Sequence, residues 1–208
     1  MGPIDLITVA RDFGSRGSAF GVALGEALGW PVLDRAIIDR VAQRLDRDRG
    51  DIAWLDAHSP RVRERIAQAL LYAPPELPVS LDTTNVVAAD VVADVAKDVL
   101  RDAAHSPPLI VVGHGAQCLF AGRARALHLR LFAPLHVRVA RLIADHGWDA
   151  ATAEAQARRM DEERTRYVRR YYGHDRYDPM LFDMQLNSGR FSMEQLVAVV
   201  RDVVGLAP

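Results

Sequence analysis

The segment that most constrains the fold is a short β-branched run that enters a glycine turn and then a helix. Ile7-Thr8-Val9-Ala10 reads as a strand over Leu6–Ala10, Arg11–Ser18 carries Gly14 and Gly17, and Phe20, Leu24, Ala27 and Leu28 give a helical pattern over Ser18–Leu28. Gly29-Trp30-Pro31 closes it, a glycine stop followed by proline. A buried strand feeding such a turn gathers backbone N–H groups at the positive end of a helix dipole, which suits an anion such as phosphate. The usual phosphate loop reads G-x-x-x-x-G-K-[ST]. Here no lysine lies near the turn, and Lys97 is the only lysine in the chain. A phosphate bound at residues 14–18 is held by backbone alone or by a borrowed arginine, with Arg16 and Arg11 the nearest.

The same alternation continues along the chain. Pro31–Asp34 reads as a second short strand ending in an acid, and Arg35–Leu45 as a helix. The pattern weakens over residues 46–80, where Arg61–Leu71 reads as a helix and the prolines of 73–78 as a loop. Asp82 or Thr84 caps a long helix to about Ala104, and Leu109–Val112 is a continuous apolar run of the kind found in buried parallel strands. Gly113-His114-Gly115 ends it. His128–Phe132 is another strand, Pro134 starts a helix to about Asp145, and Ala150–Tyr172 is a long arginine-rich helical stretch with room for one break. Phe182–Asn187 is the last strand, and Ser192 caps a final helix, Met193–Val204. Strands alternating with helices predict a parallel sheet with helices on both faces, whose ligands sit at the carboxyl ends of the strands.

Charge and cysteine content narrow the function. The net charge of −1 gives no electrostatic case for nucleic acid or an anionic membrane. One cysteine, Cys118, excludes an internal disulfide and any multi-cysteine metal site, and its apolar setting reads as a small buried hydrophobe. No apolar run is long enough to span a bilayer, and the N-terminus lacks the basic and apolar regions of a signal peptide. A cytoplasmic protein is the expectation. The histidines lack metal-ligand spacing, with His105, His128 and His136 read as loop or surface positions. The charge is unevenly placed, because Arg158, Arg159, Arg164, Arg166, Arg169 and Arg170 crowd thirteen positions.

Several blocks, in order, resemble the cytidylate kinase-like proteins. Ile7–Gly17 resembles that family's strand followed by Ser-Arg-Glu-Tyr-Gly-Ser-Gly-Gly. Trp30–Arg35 resembles its P-x-x-D-K/R segment, and Leu109–Ala116 its V-I-V-G-R-G-A. Leu129–Arg141 resembles its strand, Ala-Pro and R-x-x-R helix. Asp161 to Tyr167 resembles D-x-x-R-x-x-Y, and Phe182–Ser188 resembles Y-D-L-x-L-N-T. The blocks cover nearly the whole chain. The resemblance implies a single P-loop kinase-type α/β domain over residues 1–208, with a monophosphate-binding insertion at 46–80 and an arginine-rich lid at 145–178. It implies transfer of a phosphoryl group from ATP, with Mg2+, to a nucleoside monophosphate such as CMP or dCMP.

The resemblance also distributes roles. Gly14, Ser15, Arg16, Gly17 and Ser18 would hold the donor phosphates, with Gly17 standing where the loop lysine belongs and Ser18 or Ser15 reaching the metal. Asp34, Arg40, His114, Asp161 and Arg164 would bind the acceptor, Asp161 on a sugar hydroxyl and Arg164 on phosphate. Arg16, Arg158 and Arg164 would supply the catalytic charge, since phosphoryl transfer needs positioning and cations more than covalent chemistry. His114 departs from the family, which carries arginine between those two glycines. Two other readings stay open: a nucleotide-binding module without turnover, and a kinase for a non-nucleotide acceptor.

Overall fold

The computed structural model describes residues 3–34 and 83–206. Arg40, Asp82, the helix expected at 61–71 and the insertion expected at 46–80 lie outside the described residues. β1 (Leu6–Arg11) leads through the glycine turn to α1 (Gly17–Leu28) and β2 (Val32–Leu33). α2 (Thr83–Ala103), β3 (Leu109–Val112) and the short α3 (Ala116–Leu119) follow. The chain then runs through β4 (Ala126–Phe132), α4 (Leu135–His146), α5 (Ala150–Tyr172), β5 (Met184–Asn187) and α6 (Met193–Leu206). The sheet order is β2-β3-β1-β4-β5, and every pairing is parallel.

β1 is the central strand, and its side chains alternate between two covered faces. Ile7 and Val9 join Phe20 and Leu24 of α1 and Leu196 and Val200 of α6. Leu6, on the other face, joins Val99 and Leu100 of α2 together with Leu109 and Val111 of β3. Covering both faces makes strands read as unbroken apolar runs, and Leu109–Val112 is buried throughout. The order places the end of β1 between β3 and β4, at the switch point where connections leave in opposite directions.

Local signals set the helix ends that matter for the site. Gly147 closes α4 in a left-handed conformation, and the Asp149 carboxylate opens α5 by accepting from Thr152 N at 2.9 Å. α5 then runs unbroken for 23 residues to Gly173, without the break the sequence left room for. His128 is a correction to the sequence reading. It is buried on β4, where its Nδ1 lies 2.7 Å from Thr8 Oγ1, and burial lowers its pKa. This cross-strand pair satisfies two polar groups that the sheet would otherwise strand.

Candidate phosphate-transfer site

The turn after β1 is built from backbone and braced from three sides. Ser15 is fully buried and its hydroxyl donates to Asp12 O at 2.8 Å. The Ser188 hydroxyl donates to Ser15 O at 2.8 Å, and the Arg141 guanidinium reaches Ser188 and Gly14 O. Gly14 and Arg16 both take positive φ, 77° and 66°. Arg16 caps α1 without a side-chain hydrogen bond, and the first closed bond of the helix is Phe20 N to Arg16 O. The N–H groups of the first turn therefore face outward, as anion-binding helix starts require. Arg16 is exposed at the mouth of the turn, close enough to Arg141 to lower the pKa of that guanidinium after burial has done so. Ser18 is half-buried in the first turn of α1.

α5 is fastened to this turn by a buried ionic network. Asp161 accepts from Phe13 N at 2.9 Å and from Arg138 Nη1 at 2.7 Å, and Arg176 Nη1 lies 3.4 Å from its Oδ1. Arg176, only 5% exposed, also donates to Asp12 and to Arg11 O. Arg138 donates to Phe13 O and Ala133 O. The carboxylate of Asp161 is held by groups of the protein and anchors the helix to the turn after β1.

A second cluster lies on the β3 side. Gly113, His114 and Gly115 follow β3 with φ of 85°, 57° and 66°, three left-handed residues in succession. The Tyr172 hydroxyl donates to His114 O at 2.8 Å, and a side chain at Gly115 would strike the Tyr172 ring. Arg11, Arg164, Arg176 and His114 line a small cavity of about 30 Å³ here. Asp34 lies 3.5 Å from the Arg11 guanidinium. Arg164 donates to Arg11 O at 3.0 Å, yet its Nε is buried with no partner. Burial, then the Arg11 and Arg176 charges, pull its pKa down to about 9, so it is a cation at neutral pH held at a cost. Such a group stands ready for an anion.

The chain's first 190 residues carry the comparison that identifies its kind. The model of the cytidylate kinase-like family matches residues 6–190. This chain belongs to the cytidylate kinase-like family. No curated protein sequence matches it. Among solved structures, an uncharacterized protein from Eubacterium ventriosum is similar at 16% identity and a TM-score of 0.69, covering 97% of this chain and 98% of the other. TT1252 from Thermus thermophilus is similar at 21% identity and a TM-score of 0.55 over the whole of both chains. Shikimate kinase from Bacteroides thetaiotaomicron is similar at 14% identity and a TM-score of 0.54, covering 97% and 98%. The fold is that of the P-loop kinases.

Within this cytidylate kinase-like chain, the structure brings Asp34, His114 and Arg164 together and leaves Arg158 out. Arg158 is 65% exposed and pairs with Glu154 one turn back, on a solvated helix face. Arg159 is half-exposed and its Nε lies 2.9 Å from a carboxylate oxygen of the buried Glu163, one turn on along the same helix. Tyr167, Tyr171 and Tyr172 pack with Cys118 and Val168, while Tyr177 takes the guanidiniums of Arg130 and Arg176 on its ring. Burial pushes the Cys118 thiol up to about 12, which leaves it protonated and inert. Sequence reasoning did not single out Arg138, Arg141 or Arg176. The R-x-x-R spacing of the first two was the available signal, because residues three apart share a helix face. Arg176 had none, being placed by the turn after α5.

His114 yields a pH prediction. Burial and the Arg11 charge bring its pKa from 6.5 to about 4, with Asp34 opposing. Between those values the unfolded chain takes a proton that the folded one refuses, so stability should fall as pH drops from 6.5 towards 4, by up to about 3 kcal/mol. Urea midpoints at pH 7.5, 5.5 and 4.5 should show that fall, and His114→Gln should flatten it. An equal slope in both proteins would assign the acid limb to other groups.

Proposed function

We propose that this chain transfers the terminal phosphoryl group of ATP to a nucleoside monophosphate, with CMP or dCMP the favoured acceptor. The observation that carries the reading is the buried, unpartnered Nε of Arg164, beside Arg11 and Arg176 and across from the phosphate turn. A cation kept there against its own desolvation makes chemical sense if a phosphate oxygen meets it. Family membership favours the cytidine acceptor. The outward N–H groups of Gly17 and Ser18 and the mouth position of Arg16 suit the donor phosphates.

The residues at the turn fit magnesium held mainly by the nucleotide. Among the described residues no cluster of three acidic, histidine or cysteine side chains is placed to cage a metal. Asp12 is taken by Arg130 and Arg176, which leaves the Ser18 hydroxyl as the protein's contribution. Bound there, magnesium would neutralise charge on the phosphate oxygens. The described part of residues 145–178 would act as the lid, with Arg164 and Arg176 excluding water at the transferring group. Asp34 and His114 would face the acceptor, His114 as a neutral hydrogen-bonding group. No helix among the described residues is long and apolar enough to cross a membrane.

A coupled ADP-release assay tests the reading, with ATP and magnesium against CMP, dCMP, UMP, AMP, GMP and shikimate. Turnover with a pyrimidine monophosphate is the expected result. Turnover with shikimate alone would move the acceptor class to a non-nucleotide, in keeping with the shikimate kinase neighbour. The lysine-free turn favours one further reading, a nucleotide-binding module without turnover. ATP binding without ADP release for any acceptor would select it.

A further inference from the structure

Gly17 raises a question that its own backbone does not answer. Its φ is not in the left-handed region, and it sits in the first turn of α1, where most residues are accepted. Space is what demands glycine. A Cβ at Gly17 would lie 2.5 Å from Arg11 Cβ, 2.7 Å from Cδ and 3.0 Å from Cγ. The Arg11 stem therefore lies flat on the helix start, in the volume that a side chain at residue 17 would need. At its far end the guanidinium lies against Gly113, where a Cβ would strike Nη1. Two glycines from different elements form a slot, and one arginine runs through it.

We propose that Arg11, reaching from the end of β1, takes in space the place of the missing loop lysine and is the cation that meets the donor phosphates. The inference rests on the phosphotransferase reading above. Its guanidinium stands between the phosphate turn and the His114 turn, with Asp34 holding it at 3.5 Å. Arg11, His114 and Arg164 line one cavity. Arginine suits the task, since its planar fork matches two phosphate oxygens. Arg16 is the competing cation, but it is exposed at the mouth. The slot also explains why lysine is absent at residue 17: the two stems exclude each other.

The test is a cation swap read by calorimetric binding of inorganic tripolyphosphate and of ATP, with magnesium, which needs no turnover. Arg11→Ala should weaken binding by about 10- to 100-fold, the range for losing a charge-assisted contact. It removes the pair with Asp34 but keeps the main-chain oxygen of Arg11 that Arg164 and Arg176 bond. Gly17→Lys alone should disrupt the turn. Combined with Arg11→Ala it should recover most of the lost affinity, whereas Arg11→Ala with Gly17→Ala should not. Thermal melts of each variant report whether it folds. Tripolyphosphate binding to Arg11→Ala within about twofold of the parent, or no recovery in a folded swap variant, would overturn the proposal and leave the kinase reading standing. A parent protein that binds neither probe would overturn both.

Discussion

Asp161→Ala should lower the unfolding free energy by about 3–5 kcal/mol, the usual cost of removing one partner from a buried ion pair. Asp161 is 8% exposed, and its two oxygens serve the Phe13 amide, Arg138 and Arg176. Without it Arg138 keeps only the carbonyls of Phe13 and Ala133, and the Phe13 N–H loses its acceptor. Arg176 retains Asp12. Asp161→Asn should fall between parent and alanine, because its carbonyl oxygen can still accept from Phe13 N. Arg158→Ala, which breaks an exposed pair on the same helix, should cost at most about 1 kcal/mol. Urea unfolding of the variants checks the ranking. Equal costs for Asp161→Ala and Arg158→Ala would mean that the network does not fasten α5 to the turn.

The contrast between those two positions shows where the sequence stopped being legible. Hydrophobic period and caps found β1, α1, α4 and α6 nearly as they stand, because each of these elements is set by local chemistry: a β-branched run, a glycine stop, a proline start, Ser192 at the last cap. Leu109–Val112 matched residue for residue, since a strand buried on both faces must be apolar throughout. The arginines of α5 were a different matter. Six crowd one stretch, and composition gives each the same standing. Only packing separates Arg164, drawn under Arg11 O, from Arg158, turned to water. Asp161 was picked out by its resemblance to the family's D-x-x-R, while its partners Arg138 and Arg176 come from outside its helix, at 23 and 15 residues' distance. His128 was misjudged because its partner, Thr8, lies 120 residues away on the neighbouring strand.

The network and the Arg11 slot together give a physical account of a phosphate turn without lysine. An ordinary loop lysine brings its charge from the helix that the turn opens. Here β1 contributes the side chain of Arg11, while α5 and the turn after it contribute Arg164 and Arg176 to the main-chain oxygen of the same residue. Three guanidiniums thereby meet at the end of the central strand, and burial first, then the Arg11 and Arg176 charges, lower the pKa of Arg164. Asp12, Asp34 and Asp161 offset part of that positive charge. The remainder is what a multiply charged phosphate would relieve.

That balance predicts opposite effects of one substitution on stability and on rate. Arg164→Met should cut kcat by about 100- to 1,000-fold, the range seen when one preorganised donor to a transition state is lost. The same change should leave the melting temperature of the free protein unchanged or raise it. Methionine keeps most of the stem volume and removes a buried charge whose Nε has no partner. The carbonyl that Arg164 serves is not orphaned, since Arg176 Nη2 also donates to Arg11 O at 2.9 Å. Tripolyphosphate should raise the melting temperature of the parent more than that of the variant, because the bound anion offsets a repulsion the variant no longer has. Steady-state ADP release and thermal melts on the same two proteins decide it. A variant that melts several degrees lower while keeping its kcat would make Arg164 a structural strut, and the charge gathered at the end of β1 would then belong to folding and not to catalysis.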